Sequence, residues 1–408
     1  MNAIRKQTLL AAAVASAFAA PAALAQSSNV TVYGRMNLSF DRYSASDATA
    51  GAAADIQSRN RLVDNSSRLG FKGTEDLGNG LQAIFQIESG VTGDASAGAV
   101  ALSTGALGTR TTFVGLQGKT WGQVLLGRQD VYYGNGKLDE PNRLGMLPNA
   151  FENAAAGRNA ISAAGATGNG VMTPSLNRAD NVVSYISPSF NNFTLKVQYA
   201  IPAGEATAAG SGVKNTATAF NLTYDNGPWY AQADWMKNSD LALAWDGSAA
   251  ATAAGNEVTA WKLGGAYAFP SNTHVGLLYE RLKNETGNGA GLAANVTNPN
   301  RERNSWAFNV VQAMGNTKLY AKYGKLDDVS GAAAGGSQTG AKHWGLGASY
   351  SFSKRTNVNV FYAKVDNDAN ANYQFISYNG PGAGTNATPV SAVGADPTSF
   401  GVGVVHNF

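Results

Sequence analysis

The sequence lacks cysteine altogether and has little proline, 12 residues among 408, although it contains 48 glycines. Without cysteine, neither disulfides nor thiolate metal ligands are available to stabilise the fold. A glycine-rich composition alone would suggest disorder, but 16 Tyr, 16 Phe and 7 Trp supply apolar contacts that disordered chains lack. We therefore expect a folded protein that is held together without covalent cross-links.

Long hydrophobic runs are missing after the first 25 residues. No later segment approaches the ~18 to 20 uninterrupted apolar residues that a membrane-spanning helix requires. The sequence has no large excess of charge of one sign either. It contains 30 Lys and Arg and 27 Asp and Glu, and removal of the first 25 residues leaves 28 basic and 27 acidic residues. A nucleic-acid-binding protein would carry a basic excess, so no nucleic acid partner is expected.

The first 25 residues have the pattern of a secretory signal. Arg5 and Lys6 precede an apolar run, and Ala23-Leu24-Ala25 offers a small-x-small cleavage site. The alternative, a membrane-anchoring helix, is disfavoured by a proline and several small residues near the end of the run. We expect a cleaved signal peptide at residues 1–25 and a single mature domain at residues 26–408, because no Pro-rich linker or charge run divides the remainder.

Alternation with a period of two dominates the mature sequence. In "VTVYGRMNLSF" (30–40), apolar and polar side chains take opposite faces, which is typical of a half-buried strand. Sixteen segments share this pattern, and only 131–179 leaves room for a longer helix. The segments are 30–42, 59–73, 80–89, 109–117, 122–129, 180–187, 193–200, 217–225, 228–237, 256–269, 273–283, 303–314, 317–325, 341–352, 356–365 and 397–408.

Short and long connections alternate between these segments. The short ones carry the Gly, Asn, Asp and Pro that turns need, whereas the long ones are rich in Ala, Gly and Asn. An even number of strands with short turns at one end and long loops at the other predicts an all-β, 16-stranded antiparallel transmembrane barrel. Lipid offers no partner to backbone groups, so such a sheet must close. The last strand must then pair with the first, which explains why the alternation runs to Phe408.

A soluble barrel or sandwich, with an apolar interior, is the alternative fold. The polar face is too large to be the outside of a dry core, which counts against this alternative. Five of the seven tryptophans also fall on the apolar face, some of them near strand ends, where membrane barrels place aromatic belts. These five are Trp229, Trp235, Trp261, Trp306 and Trp344.

Signals for catalysis or metal binding are weak. The three histidines, His274, His343 and His406, fall at different ends or faces of the predicted barrel and cannot converge. The glycine clusters lie in long loops and lack the strand-turn-helix context of a phosphate-binding loop. We therefore predict no catalytic residue, no metal site and no cofactor.

Charged residues within the strands favour the inner, polar face of the predicted barrel. Nine basic and four acidic side chains are expected there, and they form either a solvated wall or an electrostatic filter, which fits the arginines best. The basic residues are Arg35, Arg68, Lys72, Arg110, Arg178, Lys196, Lys262, Lys318 and Lys322, and the acidic ones are Glu88, Asp180, Asp234 and Glu280. Arg128 falls on the outer face by simple alternation, at a strand end where a bulge or the membrane interface would accommodate it.

Several segments resemble the general porins of Gram-negative bacteria, especially the β-proteobacterial type. They are "VTVYGRMNLSF", "SSRLGFKGTEDLGNGLQAIFQIE" (66–88), "FVGLQGKTWGQVLLGRQ" (113–129), "RADNVVSYISPSFNNFTLKVQYA" (178–200) and the ending "VGVVHNF". The resemblance covers the signal, the first seven strands and the last strand, whereas strands eight to fifteen match by pattern only.

This resemblance implies a homotrimer of sixteen-stranded barrels, each with its own water-filled pore. It implies that the third long loop, near 130–178, folds inward and narrows the pore. An arginine cluster on the opposite wall is implied at Arg68, Arg110 and Arg178, and the alternation of the first strand adds Arg35. Candidates for the acidic rim of the constriction are Asp139, Glu140 and Glu152.

The resemblance also implies partners outside the pore. Phe408 looks like the terminal signal that the outer-membrane assembly machinery reads. Outer-membrane lipid and lipopolysaccharide would surround the barrel. The leading hypothesis is thus an outer-membrane porin, not an enzyme, for passive diffusion of small hydrophilic solutes and ions, with a weak preference for anions. An outer-membrane barrel enzyme and an adhesin or receptor that acts through the long loops stay open, and conductance in a planar bilayer separates the first hypothesis from both.

Overall fold

The computed structural model describes residues 28–65, 67–91, 93, 107–131, 136–139, 178–201, 216–241, 252–285, 300–330, 337–371, 373 and 392–408. The predicted signal peptide at residues 1–25 lies outside these ranges. The described residues form one antiparallel sheet of seventeen strands. No helix among them is long and apolar enough to cross a membrane.

The strands follow the predicted segments closely. Most strands reach further toward the long loops than predicted; the tenth predicted segment, for example, begins at Thr252 rather than at 256. The fourth is shorter at that end and begins at Thr112 rather than at 109. The strands are β1 (Ser28–Ser46), β2 (Ile56–Asp64), β3 (Arg68–Gly78), β4 (Leu81–Gly90), β5 (Thr112–Gly118), β6 (Gly122–Asp130), β7 (Arg178–Ile186), β8 (Phe193–Ala200), β9 (Thr216–Asn226), β10 (Trp229–Leu241), β11 (Thr252–Ala268), β12 (Thr273–Glu285), β13 (Asn300–Met314), β14 (Thr317–Leu326), β15 (Ala341–Ser351), β16 (Thr356–Asn367) and β17 (Asp396–Asn407).

The sheet closes into a barrel. From β3 to β17, each strand pairs with the next strand in the sequence, and β17 pairs back with β1. The β1–β17 register runs from Arg35 opposite Asn407 to Ser46 opposite Asp396. The predicted pairing of the last strand with the first is therefore confirmed.

β2 and β3 are two halves of one barrel strand. Both pair with β1, β3 along Ser28–Arg35 and β2 along Leu38–Ala45. Two hydrogen bonds tie the residues between β2 and β3 to β1. The Asn65 N–H donates to the Asn37 carbonyl at 2.7 Å, and the Asn37 N–H donates to Ser67 Oγ at 3.0 Å. The barrel wall thus contains the sixteen predicted strands, and the division of one of them into β2 and β3 brings the number of strand segments to seventeen.

The outer wall of the barrel is apolar and the inner wall is polar. In β1, Val32 is 56% exposed and Phe40 is 53% exposed on one face, whereas Asn37 and Asp41 are buried on the other. A soluble domain places its side chains the other way round. The exposed apolar face is the one that a barrel presents to lipid.

Aromatic side chains form two rows around the outer wall. The row nearer the long loops contains Phe220, Trp235, Trp261, Tyr279, Trp306, Tyr323 and Trp344. The row nearer the short turns contains Phe193, Tyr224, Trp229, Tyr267, Phe269, Tyr350 and Phe352. Two such rows with aliphatic side chains between them are the aromatic girdles of a membrane-spanning barrel.

Phe408 continues the seam between β1 and β17. The Gly34 N–H donates to the Phe408 carbonyl at 2.9 Å, and the Phe408 N–H donates to the Gly34 carbonyl at 3.1 Å. Its ring lies over Gly34, where a Cβ would overlap it, and stacks at 6.4 Å from the His406 ring. Glycine at position 34 therefore makes room for the aromatic side chain at the seam.

We expect the Phe408 ring to stabilise this seam. Phe408→Ala should lower the thermal unfolding midpoint of the purified barrel, because an aromatic contact contributes about 0.5–1.5 kcal/mol. Circular dichroism melting and the heat-induced gel shift of the folded barrel measure the effect. Phe408→Tyr retains the ring and should melt like the unsubstituted protein. Equal midpoints for the Ala and Tyr variants would contradict this assignment.

Candidate functional site

The inner wall carries the basic side chains that the alternation predicts. Eight of the nine have described side chains, and all eight face inward. They are Arg35, Arg68, Lys72, Arg110, Lys196, Lys262, Lys318 and Lys322. The backbone of Arg178 pairs with Asp130 at the start of β7, and the structure does not describe the Arg178 side chain. The role of Arg178 stays a prediction.

Asp180, one of the four acids predicted to face inward, faces outward. The ladder between β6 and β7 shifts register after Gly127, and Asn181 adopts a left-handed backbone with φ of 55°. This bulge reverses the alternation, so Asp180 is 54% exposed and pairs with Arg128. The prediction that Asp180 faces the lumen is therefore wrong. The sequence offered a bulge or the membrane interface as the place for Arg128, and the structure shows the bulge.

Three arginines lie on neighbouring parts of the inner wall, and one of them binds a carboxylate there. Arg35 and Arg68 are direct partners across the β1–β3 ladder. Glu88 lies on β4, next along the wall, where Arg110 Nε donates to its Oε1 at 2.7 Å. The Tyr33 hydroxyl donates to the other carboxylate oxygen at 3.1 Å. The structure thus brings together three of the four predicted basic residues, and we call Arg35, Arg68, Lys72 and Arg110 the basic wall.

The positive charge of the basic wall is only partly neutralised. Glu88 is engaged by Arg110, whereas neither Arg68 nor Lys72 forms an ion pair with any residue that the structure describes. Lys72 Nζ lies 5.3 Å from the centroid of the Tyr33 ring, a cation–π contact that leaves its charge in place. The basic wall therefore keeps a net positive charge toward the lumen.

Arg61 and Asp41 form a buried ion pair on the inner wall that simple alternation does not predict. Alternation across 59–73 without a break puts Arg61 on the outer face, but the break between β2 and β3 turns it inward, where it is 5% exposed. Arg61 Nε donates to Asp41 Oδ1 at 2.9 Å and Nη2 donates to Oδ2 at 2.5 Å. The four turn-forming residues "DNSS" (64–67) inside the predicted segment were the available signal for this break.

A second buried pair, Lys262 with Asp234, lies on the wall formed by β10 and β11. Lys262 Nζ is 3.3 Å from Asp234 Oδ2, and the Asn221 and Gln232 amides also donate to this carboxylate. Charges this deeply buried persist only when they are paired and hydrogen-bonded. Asp41, Glu88 and Asp234 are thus each engaged by a cation. The remaining predicted inward acid, Glu280, is 3% exposed and lies opposite Lys262 in the β11–β12 ladder, so these four acids offer little negative charge to the lumen.

The chain returns to the barrel interior soon after β6. Residues Gly136–Asp139 form a 3₁₀ turn on the inner face of β10 to β13, although β6 lies four strands before β10 in the sheet. Leu138 is fully buried there against Ala266, Leu278 and Tyr230. The predicted inward folding of the third long loop is therefore observed at this turn.

Glycine and asparagine form the socket for Leu138. A Cβ on Gly264 would overlap the Leu138 side chain, and a Cβ on Gly276 would overlap its carbonyl group. Asn309 Nδ2 donates to that carbonyl at 2.5 Å. Lys137 Nζ also pairs with Asp225 Oδ1 at 2.6 Å. Small residues on the wall and one amide thus hold the turn against the side of the barrel.

The predicted acidic rim lies largely beyond the described residues. Glu140 and Glu152 are outside the described ranges. Asp139 ends the 3₁₀ turn, but its side chain is likewise not described. These three acids stay predictions.

The histidines are separated as predicted. His343 is fully buried on β15, whereas exposed His406 accepts or donates a 2.8 Å hydrogen bond with Thr356 at the short-turn end. His274 lies on β12, opposite Val311. No group of three or more His, Asp or Glu side chains within the described ranges could hold a metal ion.

The geometry defines a class of protein. A closed barrel with an apolar outer wall, two aromatic girdles and a charged inner wall spans a membrane and surrounds a lumen, which is the architecture of a pore.

Comparison with known proteins identifies the family. A family model described as "Gram-negative porin" matches residues 11–370. An outer membrane porin protein of Bordetella pertussis is 30% identical over 99% of this chain and 100% of its own length. Outer membrane porin protein 32 of Delftia acidovorans is 34% identical over 55% of this chain and 57% of its own.

Solved structures share the fold. An anion-selective porin from Comamonas acidovorans has a TM-score of 0.66 and 22% identity, and the match covers 94% of this chain and 100% of that one. The trimer form of OmpT, an outer membrane protein of Vibrio cholerae, has a TM-score of 0.59 and 14% identity, and the match covers 94% and 100%. The chain belongs to the Gram-negative porin family, and it is a channel-forming protein of the outer membrane.

We expect the Leu138 socket to position the segment that follows β6. Gly264→Val should displace Leu138 at a cost of about 1–3 kcal/mol for overpacking, and it should raise the single-channel conductance. Gly265 is the matched control, because its nearest neighbouring atom lies 3.9 Å from a Cβ placed there. Gly265→Val should leave both the conductance and the unfolding midpoint unchanged.

Planar-bilayer recordings and thermal melts of the two variants measure these effects. If Gly264→Val and Gly265→Val conduct alike, the turn at Gly136–Asp139 does not set the pore width.

Proposed function

We propose that this porin is a passive diffusion channel for small hydrophilic solutes and ions, and that it prefers anions. The observation that carries this proposal is the net positive charge of the basic wall, where Arg68 and Lys72 have no acidic partner among the described residues. In a narrow, partly desolvated passage, a fixed charge acts more strongly on ions than it does in bulk water. Anions are then concentrated at the wall and cations are repelled.

The neutralised acids of the inner wall support the same preference. Asp41 and Glu88 each accept short hydrogen bonds from an arginine, and Asp234 lies beside Lys262. Carboxylates engaged in this way attract few cations from the lumen. The porin from Comamonas acidovorans is described as anion-selective, and we extend that property to this chain as part of the proposal.

We further propose that residues 130–178 form the constriction. The buried Leu138 supports this proposal, because it lies against the inner wall within that range. Asp139, Glu140 and Glu152 would supply an acidic rim that faces the basic wall. Opposed charges across a narrow passage orient water and dipolar solutes and impede apolar ones.

We also propose a homotrimer, since a solved structure with this fold is a trimer form. In this proposal, residues 1–25 are a cleaved export signal, and the outer-membrane assembly machinery reads Phe408. Outer-membrane lipid and lipopolysaccharide then contact the apolar outer wall.

Removal of Arg68 and Lys72 tests the anion preference. The double variant Arg68→Ser with Lys72→Ser should shift the reversal potential across a salt gradient toward cations. The shift should be largest at low salt, because screening acts over ~8 to 10 Å near physiological ionic strength. Arg281→Ser is the control, since Arg281 lies on the outer face and pairs with Glu302 at 2.5 Å.

The control variant should keep the reversal potential of the unsubstituted channel. A cation-selective unsubstituted channel at low salt would refute the proposal, and it would point to the acids of the constriction instead.

A further inference from the structure

The described segment after β16 turns into the long-loop end of the barrel. Tyr373 lies six residues beyond the end of β16 and is fully buried. Its hydroxyl accepts a 2.7 Å hydrogen bond from Arg303 Nη1, and the Arg303 guanidinium carbon lies 5.6 Å from the centroid of its ring. Arg303 belongs to β13, three strands away from β16 in the sheet. The segment therefore reaches inward across β14 and β15.

Arg303 is a further basic residue of the inner wall, beyond the nine that the alternation predicts. It pairs across the β12–β13 ladder with Leu282, which is buried on the inner face, whereas Trp306 and Phe308 face outward. Although it is a charged residue on the lumen side, Arg303 is only 2% exposed. The Tyr373 side chain is one of the groups in contact with its guanidinium.

A clamp fixes the position of Tyr373. The Tyr373 N–H donates to Asn367 Oδ1 at 2.9 Å, and Asn367 Nδ2 donates to the Tyr373 carbonyl at 2.8 Å. Asn367 Nδ2 also donates to the Ala395 carbonyl at 2.6 Å, just before β17. The last residue of β16 thus holds both backbone groups of Tyr373, so the ring is placed by the rigid wall.

Neighbouring connections support this inward segment. The Asp368 N–H donates to the Gly340 carbonyl at 3.0 Å, and the Asn370 N–H donates to the Gln338 carbonyl at 2.8 Å. Tyr373 also belongs to a buried apolar cluster with inward-facing wall residues, among them Ala363 of β16 and Leu326 of β14. These wall residues are therefore covered by protein instead of lining open solution.

We propose that Tyr373 covers Arg303 and narrows the channel at its long-loop end. Tyr373 then sets the width of the channel there and keeps the Arg303 charge away from permeating ions. This inference rests on the proposed channel function. It is distinct from the basic wall, because β13 and β16 do not contribute to that cluster.

Conductance gives the first test. Tyr373→Ala should raise the single-channel conductance and shift the reversal potential further toward anions, because Arg303 becomes accessible. Tyr373→Phe keeps the ring and should conduct like the unsubstituted channel. Asn367→Ala frees the Tyr373 backbone and should act in the same direction as Tyr373→Ala, so it serves as a second variant if the first does not assemble.

Thiol labelling gives a test that needs no channel activity. The chain has no cysteine, so Ala363→Cys introduces a single thiol on the covered wall. A membrane-impermeant, charged methanethiosulfonate should label this thiol slowly when Tyr373 is present and faster when it is replaced by alanine. Asn370→Ala is the matched control, because Asn370 lies in the same segment as Tyr373 but its side-chain amide donates to the Ser337 carbonyl. This variant keeps the Tyr373 ring and should not change the labelling rate.

Faster labelling together with higher conductance in Tyr373→Ala supports the proposal. Equal labelling rates with and without the Tyr373 ring overturn it, and so does unchanged conductance in a folded Tyr373→Ala barrel. An unsubstituted protein that does not conduct defeats the proposed function, whereas the labelling comparison still decides whether Tyr373 covers the wall.

Discussion

An unpaired backbone N–H or C=O group in hydrocarbon costs several kcal/mol, and the rest of this structure depends on that constraint. A sheet that crosses a membrane can have no free edge, so β17 pairs with β1 along twelve registered positions. Closure also sorts the side chains, because every second residue must then face lipid while the others face the lumen. The charged interior follows from the same alternation that makes the outer wall apolar.

Alternation predicted most of the fold, because it depends only on which residues neighbour each other in a strand. It placed Arg35, Arg68 and Lys72 correctly, since β1 and β3 keep an uninterrupted register around them. It failed at two interruptions of that register. The break before β3 turns Arg61 inward, and the bulge at Asn181 turns Asp180 outward. One extra or missing residue reverses every side chain beyond it, so a local backbone choice changes the charge of the lumen.

Contacts between distant parts of the chain leave no periodic pattern in the sequence. The docking of Leu138 between Gly264 and Gly276 joins a loop to strands more than 120 residues further along the chain. The contact of Tyr373 with Arg303 likewise depends on how a loop turns back over the wall. Such contacts have no periodicity, and the small residues that permit them look like ordinary strand glycines. The lumen is therefore shaped by packing as much as by the placement of charge.

The seam between β1 and β17 also has a consequence for how the barrel forms. Its paired residues lie at opposite ends of the chain, so this contact closes the longest possible loop and carries the largest closure entropy. Hairpins such as β15–β16 can pair early, but the final seam can form only once the last strand is available. Until then, β1 exposes an unpaired edge to any strand that it meets, including one from another chain. The barrel is thus most vulnerable to misassembly just before it is complete.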